Sequence, residues 1–285
     1  ADCSLPLSLI MAVVVASRVR LFKPLLFSAA TIAAASSRRH IIPSAAAMST
    51  TSASTNQKTT CNSGSGKSAV VFLHGLGDSP AGWSSLERQL PSIRKSLAKD
   101  VHWVFPPAPT IGISINGGAE MPGWFDLFDW PIGIDAKDDK AGKVAAAQQI
   151  EQAVDKLEKD MGIPPSRVVV GGFSQGGAVA LLAAYHRRTK NKVPFAGCIC
   201  LSGWLTLKDD LSVTEEVARA TPLFWGHGQW DDKVLFEQQA HGVEKLRNLG
   251  VDVEDQSYPM GHSSHPQETE AMAEFLDKVL FPPEK

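Results

Sequence analysis

The chain has 285 residues, of which 44% are hydrophobic and 20% are charged, and its formal net charge is −2. This total conceals an asymmetry, because residues 1–67 sum to +6 and the remaining residues sum to −8. A body with that acidic excess is a poor candidate for binding nucleic acid through a basic face, and its hydrophobic content excludes disorder. Four cysteines are too few for a disulfide scaffold.

Residues 1–67 are predicted to form a leader and linker ahead of one folded body, residues 68–285. The leader is rich in Ala and Ser, contains Arg, and has no acidic residue between Asp2 and Asp78. This composition is typical of a mitochondrial or chloroplast transit peptide, and a disordered tail without an address is the alternative. Its best apolar run, residues 24–35, is too short to span a bilayer, which takes about 20 residues.

Six apolar runs in the body are predicted to be strands of a sheet that is buried on both faces. Segments with helical periodicity lie between them. Strand–helix alternation predicts an α/β fold, with a mostly parallel central sheet and helices on both faces. The six runs are 69–73, 101–105, 167–171, 195–201, 223–225 and 251–258.

Three helices are predicted where apolar residues recur at three- and four-residue steps, over 144–161, 240–249 and 272–280. Asp135 is expected to cap the first of these helices at its N-terminus. Gly250 is expected to follow the second one as the left-handed residue beyond its C-terminus.

The sharpest signal for chemistry is the sequence Gly-Phe-Ser-Gln-Gly at 172–176, a G-x-S-x-G motif directly between a strand and an apolar helix. An abrupt strand-to-helix turn holds the central Ser174 in a strained backbone conformation, with its hydroxyl at the edge of the sheet. We interpret Ser174 as a nucleophile. A glycine-rich helix start that merely packs tightly is the alternative.

A serine hydroxyl needs a base, and in this motif the chain order is Ser, then acid, then His. His262 lies in a loop after the last predicted strand and is the expected base, whereas His265 is interpreted as a helix-start residue. Asp231 is the expected acid that orients the imidazole. Its neighbour Asp232 is interpreted as a solvent-exposed partner of Lys233, and the acidic pairs 138–139 and 209–210 as solvent-facing.

The negative charge that develops on the substrate oxygen needs hydrogen-bond donors. The backbone N–H of Gln175, directly after the nucleophile, is one expected donor. The loop after the first strand, His-Gly-Leu-Gly-Asp at 74–78, is expected to supply the N–H of Leu76 as the other. His74 itself is interpreted as structural.

Together these segments resemble the acyl-protein thioesterase and carboxylesterase family of α/β-hydrolases, over residues 68 to 283. The resemblance implies the α/β-hydrolase fold without an inserted lid domain. It places the family's catalytic residues on Ser174, Asp231 and His262 and its oxyanion donors on Leu76 and Gln175. The motifs that carry it are Phe-Leu-His-Gly-Leu-Gly-Asp at 72–78, Met-Pro-Gly-Trp-Phe-Asp at 121–126, the nucleophile motif, His-Gly at 227–228 with Asp231, and Gly-His-Ser at 261–263.

The resemblance implies a cytoplasmic enzyme that hydrolyses fatty-acyl thioesters on protein cysteines, lysophospholipids or simple carboxylic esters. Its partners would be an acylated protein, a lipid or a small ester, with transient contact to a membrane surface. A metal or cofactor is not expected, and the oligomeric state stays open. A short-chain esterase or deacetylase is an alternative, and so is a receptor that uses the hydrolase fold to bind a ligand.

An apolar acyl site is expected near Trp124 and Phe125, which lie in the long aromatic segment 111–134. Long loops of this kind are usually functional. Leu205 and Leu207 are expected to form the opposite wall of the site. The alternative is that these aromatic residues simply fill the core.

Overall fold

The computed structural model describes residues 68–186 and 193–282. The predicted leader and linker, residues 1–67, lie outside the described residues.

Within the described ranges the chain forms eight strands, seven α-helices and several shorter helical turns. The strands are β1 Ser68–Leu73, β2 Val101–Val104, β3 Thr110–Ile113, β4 Ala119–Pro122, β5 Val168–Phe173, β6 Gly197–Leu201, β7 Leu223–Gly228 and β8 Val253–Tyr258. The α-helices are α1 Pro80–Trp83, α2 Leu86–Ile93, α3 Lys140–Met161, α4 Gln175–Leu181, α5 Glu215–Ala220, α6 Glu237–Asn248 and α7 Pro266–Leu280. Short 3₁₀ turns cover Lys95–Ala98, Ser114–Asn116 and Pro165–Arg167, and a π-helical turn, Leu182–His186, continues α4.

The central sheet contains the six predicted strands in the order β2-β1-β5-β6-β7-β8. Every neighbouring pair in this sheet is parallel. Because parallel strands end at the same edge, the loops after β1, β5, β7 and β8 meet at the carboxyl edge of the sheet. The predicted mostly parallel α/β architecture is therefore confirmed.

Alternating strand residues face two separate apolar layers, as the twofold repeat of a strand requires. Val168 and Val170 of β5 pack into a core with α3, α4, α5 and α6. Val169, between them, packs into the other core with α2 and α7. Helices therefore cover both faces, which explains the consecutive buried residues of β1 and β5. The edge strand β8 differs from the prediction, because its residues at 254–257 are polar and only partly buried or exposed.

The predicted cap of α3 was wrong. Asp139 caps this helix, because its carboxylate accepts a hydrogen bond from the N–H of Gly142 at 2.9 Å. Asp135 lies four residues earlier, with a fully exposed side chain. The apolar repeat begins only at Val144, so it could not distinguish between these aspartates. Gly250 does follow α6 with φ of +87°, as predicted.

The segment predicted as a long loop contains an antiparallel hairpin, β3–β4. The acidic pair 138–139 is also not simply solvent-facing. Asp138 pairs with Lys143, whose side chain is buried, and Asp139 accepts a second hydrogen bond from the N–H of Asp126. Asp139 thus ties this segment to the start of α3, and Asp138 pairs within the first turn of that helix.

Candidate active site

Ser174 lies at the turn between β5 and α4 with φ of +54° and ψ of −121°, a conformation that non-glycine residues rarely adopt. The flanking glycines make this turn sterically feasible. A Cβ atom on Gly172 would lie 2.4 Å from the carbonyl carbon of Gly176. One on Gly176 would lie 2.4 Å from the carbonyl oxygen of Leu73. The turn therefore requires glycine two positions before and after the serine.

The structure brings Ser174, His262 and Asp231 into one hydrogen-bonded row at the carboxyl edge of the sheet. His262 Nε2 lies 2.8 Å from Ser174 Oγ, and His262 Nδ1 lies 2.7 Å from Asp231 Oδ2. The three residues follow β5, β8 and β7. In this arrangement a base contacts the hydroxyl and an acid contacts the base.

Asp231 is buried and its carboxylate is fully engaged. Its Oδ1 accepts hydrogen bonds from the backbone N–H groups of Lys233 and Val234, each at 2.9 Å. Burial alone would raise its pKa, but the hydrogen bonds from His262 and these two amides outweigh burial, so the pKa is lowered. Asp231 is therefore an anion at neutral pH. Asp232 instead lies at the surface, 3.2 Å from Lys233 Nζ.

Sequence reasoning missed the part played by His227, which is fully buried beside the acid. Its Nε2 lies 2.9 Å from the carbonyl oxygen of Val234 and 3.5 Å from Asp231 Oδ2. Because a carbonyl only accepts, Nε2 carries the proton. Burial lowers the pKa of His227, which keeps the ring neutral. The available signals were its spacing of four residues before Asp231, at the end of a strand, and its place in the family motif His-Gly at 227–228.

The two expected oxyanion donors belong to the two segments next to Ser174, the start of α4 and the loop after β1. Gln175 is the first residue of α4, where N–H groups are free of helical partners. Leu76 belongs to the loop after β1, and this loop reaches Ser174 closely. A Cβ atom on Gly75 would lie 3.4 Å from Ser174 Cβ. Among the described residues, neither donor amide bonds to another backbone group.

The expected acyl-site residues Trp124, Phe125, Leu205 and Leu207 are all buried in the core on the α3–α6 side of the sheet. Trp124 and Phe125 also line a cavity of about 350 Å³ between the β3–β4 hairpin and α3. Leu205 and Leu207 do not line that cavity. Contact of these four side chains with substrate stays a prediction.

Residues 68–186 and 193–282 contain no group of three or more His, Cys, Asp or Glu side chains that could hold a metal ion. In the same ranges, each helix is too short or too polar to cross a bilayer.

Residues 54–280 match the sequence profile of the phospholipase/carboxylesterase family. The chain belongs to this family of α/β-hydrolases. It is similar to acyl-protein thioesterase 1 of Gibberella zeae, with 37% identity over 221 residues that cover 75% of this chain and 92% of that protein. The family resemblance seen in the sequence is therefore confirmed. The profile match begins before residue 68, and the predicted domain boundary there stays a prediction.

Two solved structures of plant proteins share the hydrolase fold. Zea mays acyl-protein thioesterase 2 has a TM-score of 0.65 and 32% identity, covering 76% of this chain and 96% of that one. Arabidopsis thaliana SOBER1 has a TM-score of 0.66 and 29% identity, covering 75% of this chain and 99% of that one. The predicted α/β-hydrolase fold is confirmed.

Proposed function

We propose that this chain is a serine hydrolase that cleaves acyl thioesters and carboxylic esters, including fatty-acyl groups on protein cysteines. The observation that carries the proposal is the hydrogen-bonded row of Ser174, His262 and Asp231. Similarity to acyl-protein thioesterases supports the thioester substrate class. Family membership supports hydrolysis of carboxylic esters.

The distances support a two-step acyl transfer. His262 Nε2, 2.8 Å from Ser174 Oγ, takes the hydroxyl proton as Oγ attacks the acyl carbonyl. The oxyanion that forms accepts hydrogen bonds from the N–H groups of Leu76 and Gln175. His262 then passes the proton to the leaving thiolate or alkoxide. A water molecule, activated by the same imidazole, hydrolyses the acyl-serine.

Asp231 keeps His262 in the productive tautomer. Its carboxylate can only accept, so the proton of the neutral imidazole stays on Nδ1 and Nε2 is left free to act as the base. The same carboxylate stabilises the imidazolium that forms during the attack. The two backbone amides on Oδ1 hold the carboxylate in place, so the geometry is set before substrate arrives.

Contact with a membrane surface during turnover is part of the proposal. Four large exposed aromatic side chains lie on segments 128–130 and 230–236, which the bridge between Ile132 and Val234 joins. Lys233 Nζ lies 5.9 Å from the ring centre of Trp130. Aromatic residues with a neighbouring cation favour the membrane–water interface. These side chains are Phe128, Trp130, Trp230 and Phe236.

We assign the body to the cytoplasm, with organelle import through residues 1–67 as the alternative. Fluorescent fusions of the full chain and of a chain without residues 1–60 distinguish the two. An organelle signal that moves to the cytosol on deletion supports import. Cytosolic signals from both fusions support the cytoplasm.

Replacing Ser174 with Ala tests the proposed function. The variant is expected to keep the thermal midpoint of the wild type and to lose hydrolysis of nitrophenyl esters and acyl thioesters, by about 10⁶-fold in kcat. A fluorophosphonate probe should label the wild type and not the variant. Labelling that survives in the Ser174→Ala protein would refute the nucleophile. A ladder of acyl chain lengths then separates a fatty-acyl hydrolase from a short-chain esterase.

A further inference from the structure

Trp124 donates two hydrogen bonds, one to Gln175 and one to the loop that holds Leu76. The backbone N–H groups of Gln175 and Leu76 are the proposed oxyanion donors. The Trp124 backbone N–H donates to Gln175 Oε1 at 2.9 Å. Its indole Nε1–H donates to the carbonyl oxygen of His74 at 2.9 Å. The first contact reaches the donor residue of α4, and the second reaches the loop that holds Leu76.

The contact with Gln175 is a two-point attachment. While Gln175 Oε1 accepts from Trp124, Gln175 Nε2 donates to the carbonyl oxygen of Phe125 at 2.6 Å. The Gln175 side chain is 1% exposed, so water does not compete for these hydrogen bonds. The backbone at 124–125 is therefore held at a fixed position relative to Gln175, the first residue of α4.

The contact with His74 reaches an equally constrained residue. His74 Nε2 accepts from the N–H of Ala108 at 3.2 Å, so the neutral ring carries its proton on Nδ1, which lies 2.8 Å from the carbonyl oxygen of Gly75. The ring centres of His74 and Trp124 lie 5.5 Å apart. The indole thus contacts a loop whose own shape the His74 ring helps to hold.

We propose that Trp124 is a positioning residue that sets the separation of the two oxyanion donors, the N–H groups of Leu76 and Gln175. This inference rests on the proposed function. An oxyanion donor contributes about 10²–10³ in rate only when it lies within hydrogen-bond distance of the developing charge. Trp124 is 3% exposed, so its hydrogen bonds to Gln175 and His74 are shielded from water.

Trp124→Phe tests the proposal, because it removes the indole N–H and keeps an aromatic ring. Trp225→Phe is the matched control. Trp225 is fully buried in the same core, and its Nε1 has no partner among the described residues, so the change removes similar volume without breaking a hydrogen bond. The measurements are kcat and KM across an acyl-length ladder, the thermal midpoint, and inhibition by an aryl trifluoromethyl ketone. Ser174 Oγ adds to this ketone and its proton passes to His262, which leaves an oxyanion for the donors.

The expected result for Trp124→Phe is a fall in kcat of about 10- to 100-fold, slightly less than the loss of a whole donor. The ketone should bind more weakly by a similar factor. KM should change by less than about twofold at every acyl length, because uniform binding is untouched. Trp225→Phe should lower the thermal midpoint about as much as Trp124→Phe does. It should leave kcat and ketone inhibition within about twofold of the wild type.

Gln175→Met removes the side-chain hydrogen bonds to the backbone of Trp124 and Phe125. This variant tests the proposal if Trp124→Phe does not fold. It should reproduce the losses in kcat and ketone affinity. If both variants fold, the double variant should lose less than the product of the single effects, since both changes disrupt one arrangement.

Three results would overturn the inference. They are unchanged ketone affinity in Trp124→Phe, an equal kcat loss in the Trp225→Phe control, and a rise in KM that grows with acyl length, which would make Trp124 part of the acyl wall. Ser174→Ala, assayed in parallel, keeps the two hypotheses apart. Activity in Ser174→Ala refutes the proposed function, whereas an inactive Ser174→Ala with a wild-type Trp124→Phe refutes the positioning role alone.

Discussion

The parallel sheet and the connection between β2 and α3, residues 105–139, are built by different forces. In the sheet, strand residues such as Val70 and Val169 are fully buried, and burial of apolar surface determines their positions. In the connection, residues such as Phe125 are also buried, but side-chain hydrogen bonds to backbone amides determine the path of the turns between them. Asp126 accepts from the N–H of Ser114, and Asp129 accepts from the N–H of Lys137. The sheet therefore tolerates apolar exchanges, whereas the connection depends on individual polar atoms.

After Ser174→Ala, the largest effect is expected at the loops that the sheet presents, in Asp231→Asn. An amide can donate to His262 Nδ1, which favours the wrong imidazole tautomer, and kcat should fall by about 10⁴-fold. Asp232→Asn is the matched control, because the neighbouring carboxylate is exposed and should leave kcat nearly unchanged. Steady-state kinetics on one ester checks both variants. Equal losses would show that the wrong aspartate has been assigned.

A comparison of two glycines sharpens the contrast between sheet and connection. Gly176→Ala would place a Cβ atom 2.4 Å from the carbonyl oxygen of Leu73, so we expect a loss of about 3 kcal/mol or more in unfolding free energy. Gly117→Ala, in the hairpin turn, meets no atom within 4 Å and is strained only by its φ of +68°. There we expect about 1 kcal/mol. Urea denaturation measures both, and a larger loss at Gly117 would contradict the prediction.

A buried acid beneath the sheet should make stability depend on pH. Glu268 is 1% exposed, and its carboxylate packs directly against Gly226. A Cβ atom on Gly226 would lie 2.2 Å from Glu268 Oε1. Burial raises the pKa of Glu268 from 4.5 to about 8, while the backbone amide of His265 opposes this rise. The folded state therefore binds the proton more tightly than the unfolded chain. The protonated Glu268 carboxyl makes its full contribution to stability below pH 4.5, and this contribution is lost as the pH rises through 8.

Glu268→Gln should remove this dependence, since the amide does not ionise. We expect the variant to match the wild type near pH 5 and to exceed it by about 1–3 kcal/mol in unfolding free energy near pH 8.5. Denaturant unfolding at the two pH values checks this. A constant difference between the proteins at both pH values would show that Glu268 is not protonated in the folded state.

The smallest effect is expected in the connection, at the corrected helix cap. Asp139→Ala removes the acceptor for the N–H of Gly142 and should cost about 1–2 kcal/mol of stability. Asp135→Ala removes only an exposed partner of Lys208, 3.8 Å away, and should leave the thermal midpoint nearly unchanged. Thermal unfolding of the two variants ranks them. The reverse order would restore Asp135 as the cap.

Much of the candidate site could be predicted because its residues follow strands. Ser174, Asp231 and His262 come directly after three apolar runs, and parallel strands end at one edge, so their meeting follows from chain order. Two adjacent side chains cannot both face one imidazole. Asp231 lies buried against His262, and Asp232 is exposed beside Lys233.

The roles of Trp124 and His227 could not be predicted in the same way. Trp124 and Gln175 are 51 positions apart in the sequence. No local sequence pattern predicts a hydrogen bond between a backbone amide and a side chain that is so distant along the chain. In the sequence, His227 belongs to the family motif His-Gly at 227–228 with Asp231, which gives it no partner. Its contact with Asp231 depends on the path of the loop at 228–234, which Val234 O and the bridge to Ile132 determine.

By itself, the sequence determined the six strands, their parallel pairing into an α/β sheet and the order of nucleophile, acid and base. Apolar runs and the glycines beside Ser174 suffice for this, because burial and steric exclusion act at each residue and leave a periodic pattern. Only the tertiary structure decided the path of residues 105–139, the cap at Asp139 and the double attachment of Trp124. These depend on single polar atoms that meet across long chain separations, and such atoms find their partners only once the sheet has brought the loops together.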